Sequence, residues 1–282
     1  MMKQADAPAP LTRLLAARRW LLVVAVLGFG GALPAQTFST LVFNDPDPEL
    51  VAGVDLAVGA QYLFQEVSLG VDAIVEIMAL DNGASLGRID DHAETTPTDL
   101  FYPTLTGDPT QNSRVMFEMS FVDSGTGLPV ELDFRWTLAD LDSSESGNGT
   151  IFEVGILENI ANYTLEGNPA DPTNLTHTEG PSGEHLFSSN PNIENFSGVD
   201  LNDTVVMVYT EYTDTSSFQF GFELEGTQTS STRNVAASGL STISDNFVDP
   251  VTVQTPEPGI AVLLALAFAG ACGFRAREAK MC

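Results

Sequence analysis

The feature that most constrains the fold is a strict alternation of apolar and polar side chains over short stretches. In residues 130–138 (VELDFRWTL) every second residue from Val130 to Leu138 is apolar, and polar or charged residues stand between them. The stretches 114–122 and 217–226 alternate in the same way. Successive side chains of a strand point to opposite faces of a sheet, so this period predicts strands that are buried on one face.

The rest of the chain body favours the same architecture. Gly, Asn, Asp and Pro turns separate the strands, and no segment shows an amphipathic helix of three turns. We predict an all-β fold, a single antiparallel β-sandwich of jelly-roll or immunoglobulin-like type, with Trp136 and Tyr209 packed in its core. Further strands are expected at 51–58, 60–67, 71–80, 151–157, 203–212 and 235–243.

Three details of the arrangement follow from local sequence. The turn DSGTGLP predicts an antiparallel hairpin between 114–122 and 130–138. The stretch 203–212 is apolar on both faces and is expected in the middle of a sheet. The segment 167–198, polar and rich in Pro and Asn, is expected to be a long functional loop or an insertion.

The charge of the chain body excludes some partners. Between Thr37 and Thr255 there are four basic residues against 35 acidic ones, a net charge of −31. Nucleic acids and anionic lipids bind through Lys and Arg, so we expect no nucleic-acid partner. Both cysteines, Cys272 and Cys282, lie near the C-terminus, so the body can form no disulfide or thiolate metal site.

The N-terminal segment 1–35 has the pattern of an export signal. Basic residues up to Arg19 precede an apolar run from Trp20 to Ala32, and small residues follow. Such a run is short for a membrane span and typical of a signal peptide. We expect a signal helix that is cleaved after Ala35, while the Arg18–Arg19 pair leaves a twin-arginine signal as an alternative.

The C-terminal segment 255–282 mirrors this pattern. A 16-residue apolar run from Gly259 to Phe274 predicts a short transmembrane helix, and a basic stop follows it at Arg275, Arg277 and Lys280. By the positive-inside rule both ends stay in the cytoplasm, so residues 36–254 form a domain on the other side of the membrane. The protein is therefore expected to be exported and tethered to the membrane.

Directly before the apolar run stands Pro256-Glu257-Pro258. This order of Pro-Glu-Pro, short Leu/Ala/Gly-rich helix and Arg-containing end resembles the PEP-CTERM sorting signal. The resemblance implies processing by an exosortase, together with the export machinery, and delivery to the cell surface or exopolysaccharide matrix of a Gram-negative bacterium. Glu278 interrupts the basic cluster and Met-Cys extends it, which departs from the family pattern; a plain membrane anchor is the alternative.

The body also resembles β-sandwich domains of exported bacterial surface proteins. The similar stretches are GVDAIVEI at 70–77, the later DSGTG, and the acidic LADLDSS. No biochemical activity is attached to that pattern.

One stretch has the spacing of a calcium loop. Counted from Asp142, oxygen donors stand at loop positions 1, 3 and 5 (Asp142, Ser144, Ser146), Gly147 at position 6 and Glu153 at position 12. Asp140 would add a carboxylate on the same side of a strand. The serines are poor calcium ligands and strands flank the loop, so a merely solvated acidic loop is the alternative.

Other chemistry has less support. His177 and His185 lie eight residues apart, near Glu179 and Glu184, a spacing that fits no helical or hairpin zinc pattern, so these residues and His92 are expected on surface loops. The motif HExxH is absent from the sequence.

We therefore predict a non-enzymatic surface or matrix protein that is associated with exopolysaccharide. A calcium-dependent carbohydrate-binding module is the alternative, and a polysaccharide-active hydrolase a less favoured one.

Overall fold

The computed structural model describes residues 36–44, 48–91, 99–193, 195–196 and 198–255. Within these ranges the chain is all-β, with three short 3-10 helices and no α-helix, and none of the helices there is long and apolar enough to cross a membrane. The predicted signal helix, the Pro-Glu-Pro motif, the C-terminal apolar run with Arg275, Arg277 and Lys280, and His92 all lie outside the described residues.

The largest sheet has nine strands in the described part of the chain. Eight follow the order β1-β2-β3-β6-β14-β9-β12-β11, and β8 also pairs with β9. Its strands are β1 (Glu49–Ala52), β2 (Gln61–Ser68), β3 (Val71–Asp81), β6 (Ser113–Asp123), β8 (Ser143–Ser146), β9 (Gly149–Glu158), β11 (Thr176–Glu179), β12 (Glu184–Ser188) and β14 (Ser217–Gly226).

A five-stranded sheet has the order β16-β7-β13-β10-β17, and a small sheet has the order β15-β5-β4. All pairings between the strands of the three sheets are antiparallel. The remaining strands are β4 (Ser85–Arg88), β5 (Thr104–Gly107), β7 (Leu132–Ala139), β10 (Asn162–Glu166), β13 (Val208–Thr215), β15 (Ser231–Asn234), β16 (Ala236–Ser238) and β17 (Pro250–Gln254).

Aromatic side chains join the two larger sheets face to face. The ring of Phe121 in β6 lies 5.1 Å from that of Phe134 in β7, and the ring of Trp136 in β7 lies 4.8 Å from that of Phe220 in β14. All four side chains are fully buried in one continuous cluster. The predicted antiparallel sandwich is therefore confirmed, and with nine and five strands it is larger than an immunoglobulin or jelly-roll sandwich of about seven to nine strands.

Two predictions about strand positions are confirmed. The stretch 203–212 is strand only from Val208 onward, since Thr204–Val206 form a 3-10 helix, but the strand it enters, β13, is the middle strand of the five-stranded sheet, as predicted. Trp136 is fully buried in the main core, and Tyr209 is buried in a second cluster on the outer side of the same sheet.

The predicted hairpin between 114–122 and 130–138 is wrong. Strand β6 pairs with β3 and β14 in the nine-stranded sheet, whereas β7 pairs with β13 and β16 in the five-stranded sheet. The turn does form, since the amide of Asp123 donates to the carbonyl of Leu128 over 2.8 Å, but the chain then crosses to the other sheet. The alternation identifies which face of a strand is buried, but it does not indicate which of the two facing sheets the strand joins.

Three further stretches differ from expectation. Of the predicted strand 235–243 only Ala236–Ser238 is strand, and Ile243 begins a 3-10 helix. Only the first residues of 51–58 are strand, because the chain turns from Gly53 onward, where φ is +82°. The expected loop at 167–198 contains strands β11 and β12, which extend the nine-stranded sheet as a hairpin at its far edge.

Candidate functional site

The acidic stretch 140–153 forms a hairpin rather than a loop that wraps around an ion. Strands β8 and β9 pair in tight register from Ser143 opposite Phe152 to Ser146 opposite Gly149. Just before them, the amide of Glu153 donates to the carbonyl of Asp142 over 3.0 Å. The calcium-loop spacing is present in the sequence, but the chain does not curl as that spacing requires.

The predicted ligands therefore divide into two groups. Asp142 and Glu153 stand opposite each other and are both buried, and Ser144 follows on the same side, where its hydroxyl accepts from Arg233. Ser146 is exposed at the tip of the hairpin, where its hydroxyl accepts from the amides of Asn148 and Gln228. Ser146 thus lies apart from the buried carboxylates.

The two buried carboxylates have specific partners. One oxygen of Asp142 accepts from the amide of Phe196 over 2.9 Å. Glu153 Oε1 lies 3.5 Å from Arg233 Nε, and Arg233 comes from β15 in the small sheet. A single guanidinium thus lies beside carboxylates from strand β9 and from the segment that precedes β8.

Burial and mutual repulsion raise the pKa values of this group. Burial raises the pKa of Asp142 to about 6, and burial together with the charges of Asp142 and Asp203 raises that of Asp140 to about 7. Burial and the charge of Asp142 place the pKa of Glu153 well above its ordinary range, although Arg233 opposes the shift. A cation that binds beside these carboxylates would stabilise their ionised form.

Asp140 also has an unusual backbone conformation, with φ at +57°. A non-glycine residue pays about 1 kcal/mol or more to occupy this left-handed region, although Asp tolerates it better than most. The strained residue lies directly between β7 and the acidic hairpin, so it sets the direction in which the chain enters the group.

A polar cavity of about 360 Å³ adjoins the acidic group. Phe196 belongs both to the wall of this cavity and to the hydrogen bond with Asp142, and Asp203 in the wall acts on Asp140. The wall therefore offers carboxylate, amide and hydroxyl groups beside one aromatic ring. The lining residues are Asp171, Asn195, Phe196, Asn202, Asp203, Thr204 and Val205.

The described part of the chain contains no group of three or more His, Cys, Asp or Glu side chains already arranged to hold a metal ion. Asp140, Asp142 and Glu153 are close enough to perturb one another but do not converge on a common point. Binding of a calcium ion by these three residues would therefore require their side chains to rearrange.

In the described ranges no tyrosine or tryptophan presents an exposed ring on which a sugar could stack. All five tyrosines and Trp136 are less than a tenth exposed. The partly exposed ring of Phe196 in the cavity wall is the aromatic surface nearest to the acidic group.

The two histidines that the structure describes do not lie on separate surface loops. The hairpin of β11 and β12 brings His177 Nε2 to 3.0 Å from His185 Nδ1, and His177 Nδ1 lies 3.1 Å from the hydroxyl of Tyr163. The expectation that their spacing fits no hairpin pattern is wrong, because the turn at residues 180–183 folds the two strands together.

Sequence reasoning missed three contributors to these sites: Arg233, Asp203 and Tyr163. Each is distant in sequence from the group that it joins. One signal was present, since Arg233 is one of only four basic residues in the chain body, and a buried carboxylate requires such a partner.

No protein-family model matches the sequence, and no curated protein matches it. Solved structures that resemble it are domains of bacterial adherence proteins. One is the adhesin domain of PrgB from Enterococcus faecalis, solved bound to DNA, with 13% identity and a TM-score of 0.38 over 64% of this chain and 65% of that one.

A second is glucan-binding protein C of Streptococcus mutans, described as mediating sucrose-independent and sucrose-dependent adherence. It is 13% identical, with a TM-score of 0.40 over 72% of this chain and 64% of that one. The matches thus cover less than two thirds of either solved chain. At this level of similarity neither the topology nor the ligands of those proteins transfer to this chain.

Proposed function

We propose that the chain is a non-enzymatic exported protein of the bacterial surface or matrix, delivered by a PEP-CTERM-type sorting segment at 255–282. The observation that carries the proposal is Pro256-Glu257-Pro258, followed by the apolar run and the basic stop at Arg275, Arg277 and Lys280. Prolines on both sides of Glu257 hold a peptide extended, the form that a processing enzyme grips.

The end of the described fold agrees with this proposal. Strand β17 ends at Gln254, two residues before Pro256, and pairs with β10 over its whole length. An exosortase can therefore act on the motif without breaking the sandwich.

The test is the mass of the mature protein. The full chain is produced in a Gram-negative host with and without an exosortase, and its intact mass is measured. We expect loss of the C-terminal segment only when the enzyme is present, and retention of that segment in the Glu257→Ala variant. Pro250→Ala, a change just upstream of the motif, serves as the matched control and is expected to be processed normally. Equal masses with and without the enzyme would refute the sorting proposal.

A second candidate function is calcium-dependent binding of a carbohydrate of the matrix. The observation that favours it is the group formed by the buried Asp142 and Glu153 and the half-buried Asp140 beside a polar cavity. Ca²⁺ takes six to eight oxygen ligands, about three of which these carboxylates would supply. A bound ion would neutralise the repulsion that raises their pKa values and would leave coordination positions for sugar hydroxyls.

Calcium dependence is tested by thermal unfolding of the full chain in mild detergent at pH 8. At roughly one hundred times its Kd, calcium adds about 2.7 kcal/mol, which raises the Tm by about 5 to 10 °C in a domain of this size. Asp142→Ala is expected to abolish the rise, whereas the exposed Glu131→Ala retains it. An unchanged Tm in millimolar calcium eliminates this candidate.

Carbohydrate binding is tested in a separate experiment. Host exopolysaccharide immobilised on a surface should retain the wild-type chain in calcium and release it in EDTA. Retention that persists in EDTA would show that calcium has no part in recognition, even if the Tm responds to the ion.

A further inference from the structure

The free edge of the nine-stranded sheet carries a compact histidine group. Strand β11 is the last strand, and β12 pairs with it in a register that places Glu179 opposite His185 and His177 opposite Phe187. Side chains two residues apart on a strand share a face, and directly opposite residues share it as well. Glu179, His177 and His185 therefore project from the same face of the hairpin.

The separation of the two imidazoles is close to that of two ligands of one metal ion. His177 Nε2 and His185 Nδ1 are 3.0 Å apart, and the rings are stacked with centroids 5.2 Å apart. Two nitrogen ligands at about 2.0–2.1 Å from a tetrahedral zinc are separated by about 3.3 Å. An ion can therefore replace the shared proton once the two nitrogens separate by a few tenths of an ångström and the rings tilt so that both lone pairs point at the ion.

Tyr163 fixes which nitrogen of His177 faces its neighbour. Its hydroxyl lies 3.1 Å from His177 Nδ1, and its ring packs against both His177 and Phe187. A histidine that binds metal through one nitrogen almost always uses the other in such a hydrogen bond, which orients the ring. Tyr163 comes from β10 of the opposite sheet, so the orientation is imposed by the packing of the sandwich.

A carboxylate stands beside the histidine pair, because Glu179 lies directly opposite His185 in the hairpin. Glu179 is exposed and acts electrostatically on both rings, so a rotation about its side-chain bonds adds a carboxylate.

We propose that His177, His185 and Glu179 bind a divalent transition-metal ion, Zn²⁺ in the first place. In the described residues no three such side chains already converge, so Glu179 completes the set by rotation when the ion enters. Water or a ligand from another molecule would occupy the remaining position. This site is separate from the acidic group around Asp142 and does not depend on the sorting or calcium proposals.

Two measurements test the proposal on the full chain, produced without a polyhistidine tag and with Cys272 and Cys282 alkylated. Cu²⁺ is used as a spectroscopic probe, and its electron paramagnetic resonance spectrum should show hyperfine splitting from two imidazole nitrogens. Zn²⁺ binding is then measured by calorimetry in excess calcium, which occupies the many surface carboxylates. We expect one zinc ion per chain.

Variants separate the site from background binding. His177→Ala should lower zinc affinity at least a hundredfold, and Glu179→Gln and Tyr163→Phe by about tenfold each. His92→Ala, which removes the third histidine of the chain, should change nothing. The proposal is overturned if His177→Ala binds zinc as the wild type does, or if the copper spectrum of the wild type lacks splitting from two nitrogens. The copper spectrum is measured on the unmutated chain, so this test of the proposal remains valid even if a variant fails to fold.

Discussion

Replacing Asp142 with asparagine is expected to stabilise the folded chain near neutral pH when calcium is absent. The side chain is 4% exposed, and its burial raises the pKa from 3.8 to about 6. A carboxyl with a raised folded pKa retains its proton longer in the folded state than in the unfolded state. Stability is therefore lost as the pH rises from about 4 through about 6, and the full cost is present above that range.

The size of the effect follows from the shift. A rise from 3.8 to about 6 corresponds to about 3 kcal/mol at pH 8. Asparagine retains an oxygen to accept from the Phe196 amide, but it gives up the attraction of Arg233, so we expect a gain of about 1 to 2 kcal/mol. Relief of the repulsion felt by Asp140 and Glu153 adds to that gain.

The assay is urea unfolding of the full chain in EDTA at pH 8 and at pH 4.5. Asp142→Asn should be the more stable protein at pH 8, and the difference should shrink toward zero at pH 4.5. Asp245→Asn, an exposed control, should alter stability by no more than about 0.5 kcal/mol at either pH. An Asp142→Asn protein that is weaker than wild type at pH 8, or whose gain does not depend on pH, would refute the reasoning.

Three further predictions use the same unfolding assay. Phe220→Ala should cost about 3 to 5 kcal/mol, because the ring is fully buried between the sheets; a loss below about 1 kcal/mol contradicts the packing described above. Gly155→Ala should cost about 1 to 3 kcal/mol, since its Cβ would lie 2.6 Å from Leu138 Cδ1 on the facing sheet, and a neutral outcome would mean that the leucine side chains there move aside without cost. Asp123→Asn should destabilise the chain at pH 7 and lose its effect in acid, because hydrogen bonds from Thr126 and Gly125 lower the pKa of this carboxyl; a pH-independent difference would speak against it.

The fold class was readable from the sequence because alternation is a local property of each strand. The strands at 71–81, 113–123 and 217–226 agree with their predicted positions to within a residue or so. Partner choice is not local: β6 and β7 show the same alternation and yet belong to different sheets. What places β7 in its sheet is its pairing with β13 and β16, which come from distant parts of the chain, while Trp136 packs on Phe220 of the facing sheet.

The sites were less predictable for a related reason. The calcium spacing identified the carboxylates Asp142 and Glu153 but assumed a loop, whereas pairing of β8 with β9 converted it into a hairpin. The two histidines were judged by their spacing, although the segment GPSG between them is a turn sequence that could have predicted their approach. Tyr163 completes the histidine group from the opposite sheet, and sequence alone gives no measure of that distance.

Strand β17 has a mechanical consequence for a protein held by its C-terminus. Among the residues that the structure describes it pairs only with β10, through five residue pairs from Asn162–Gln254 to Glu166–Pro250, and all of its side chains are exposed there. A pull on the following segment loads this ladder before any other part of the sandwich. Because β17 contributes no buried side chain, it can detach from β10 under tension and pair with it again afterwards while the aromatic core stays closed. Reversible detachment of β17 would thus lower the force that reaches the rest of the sandwich.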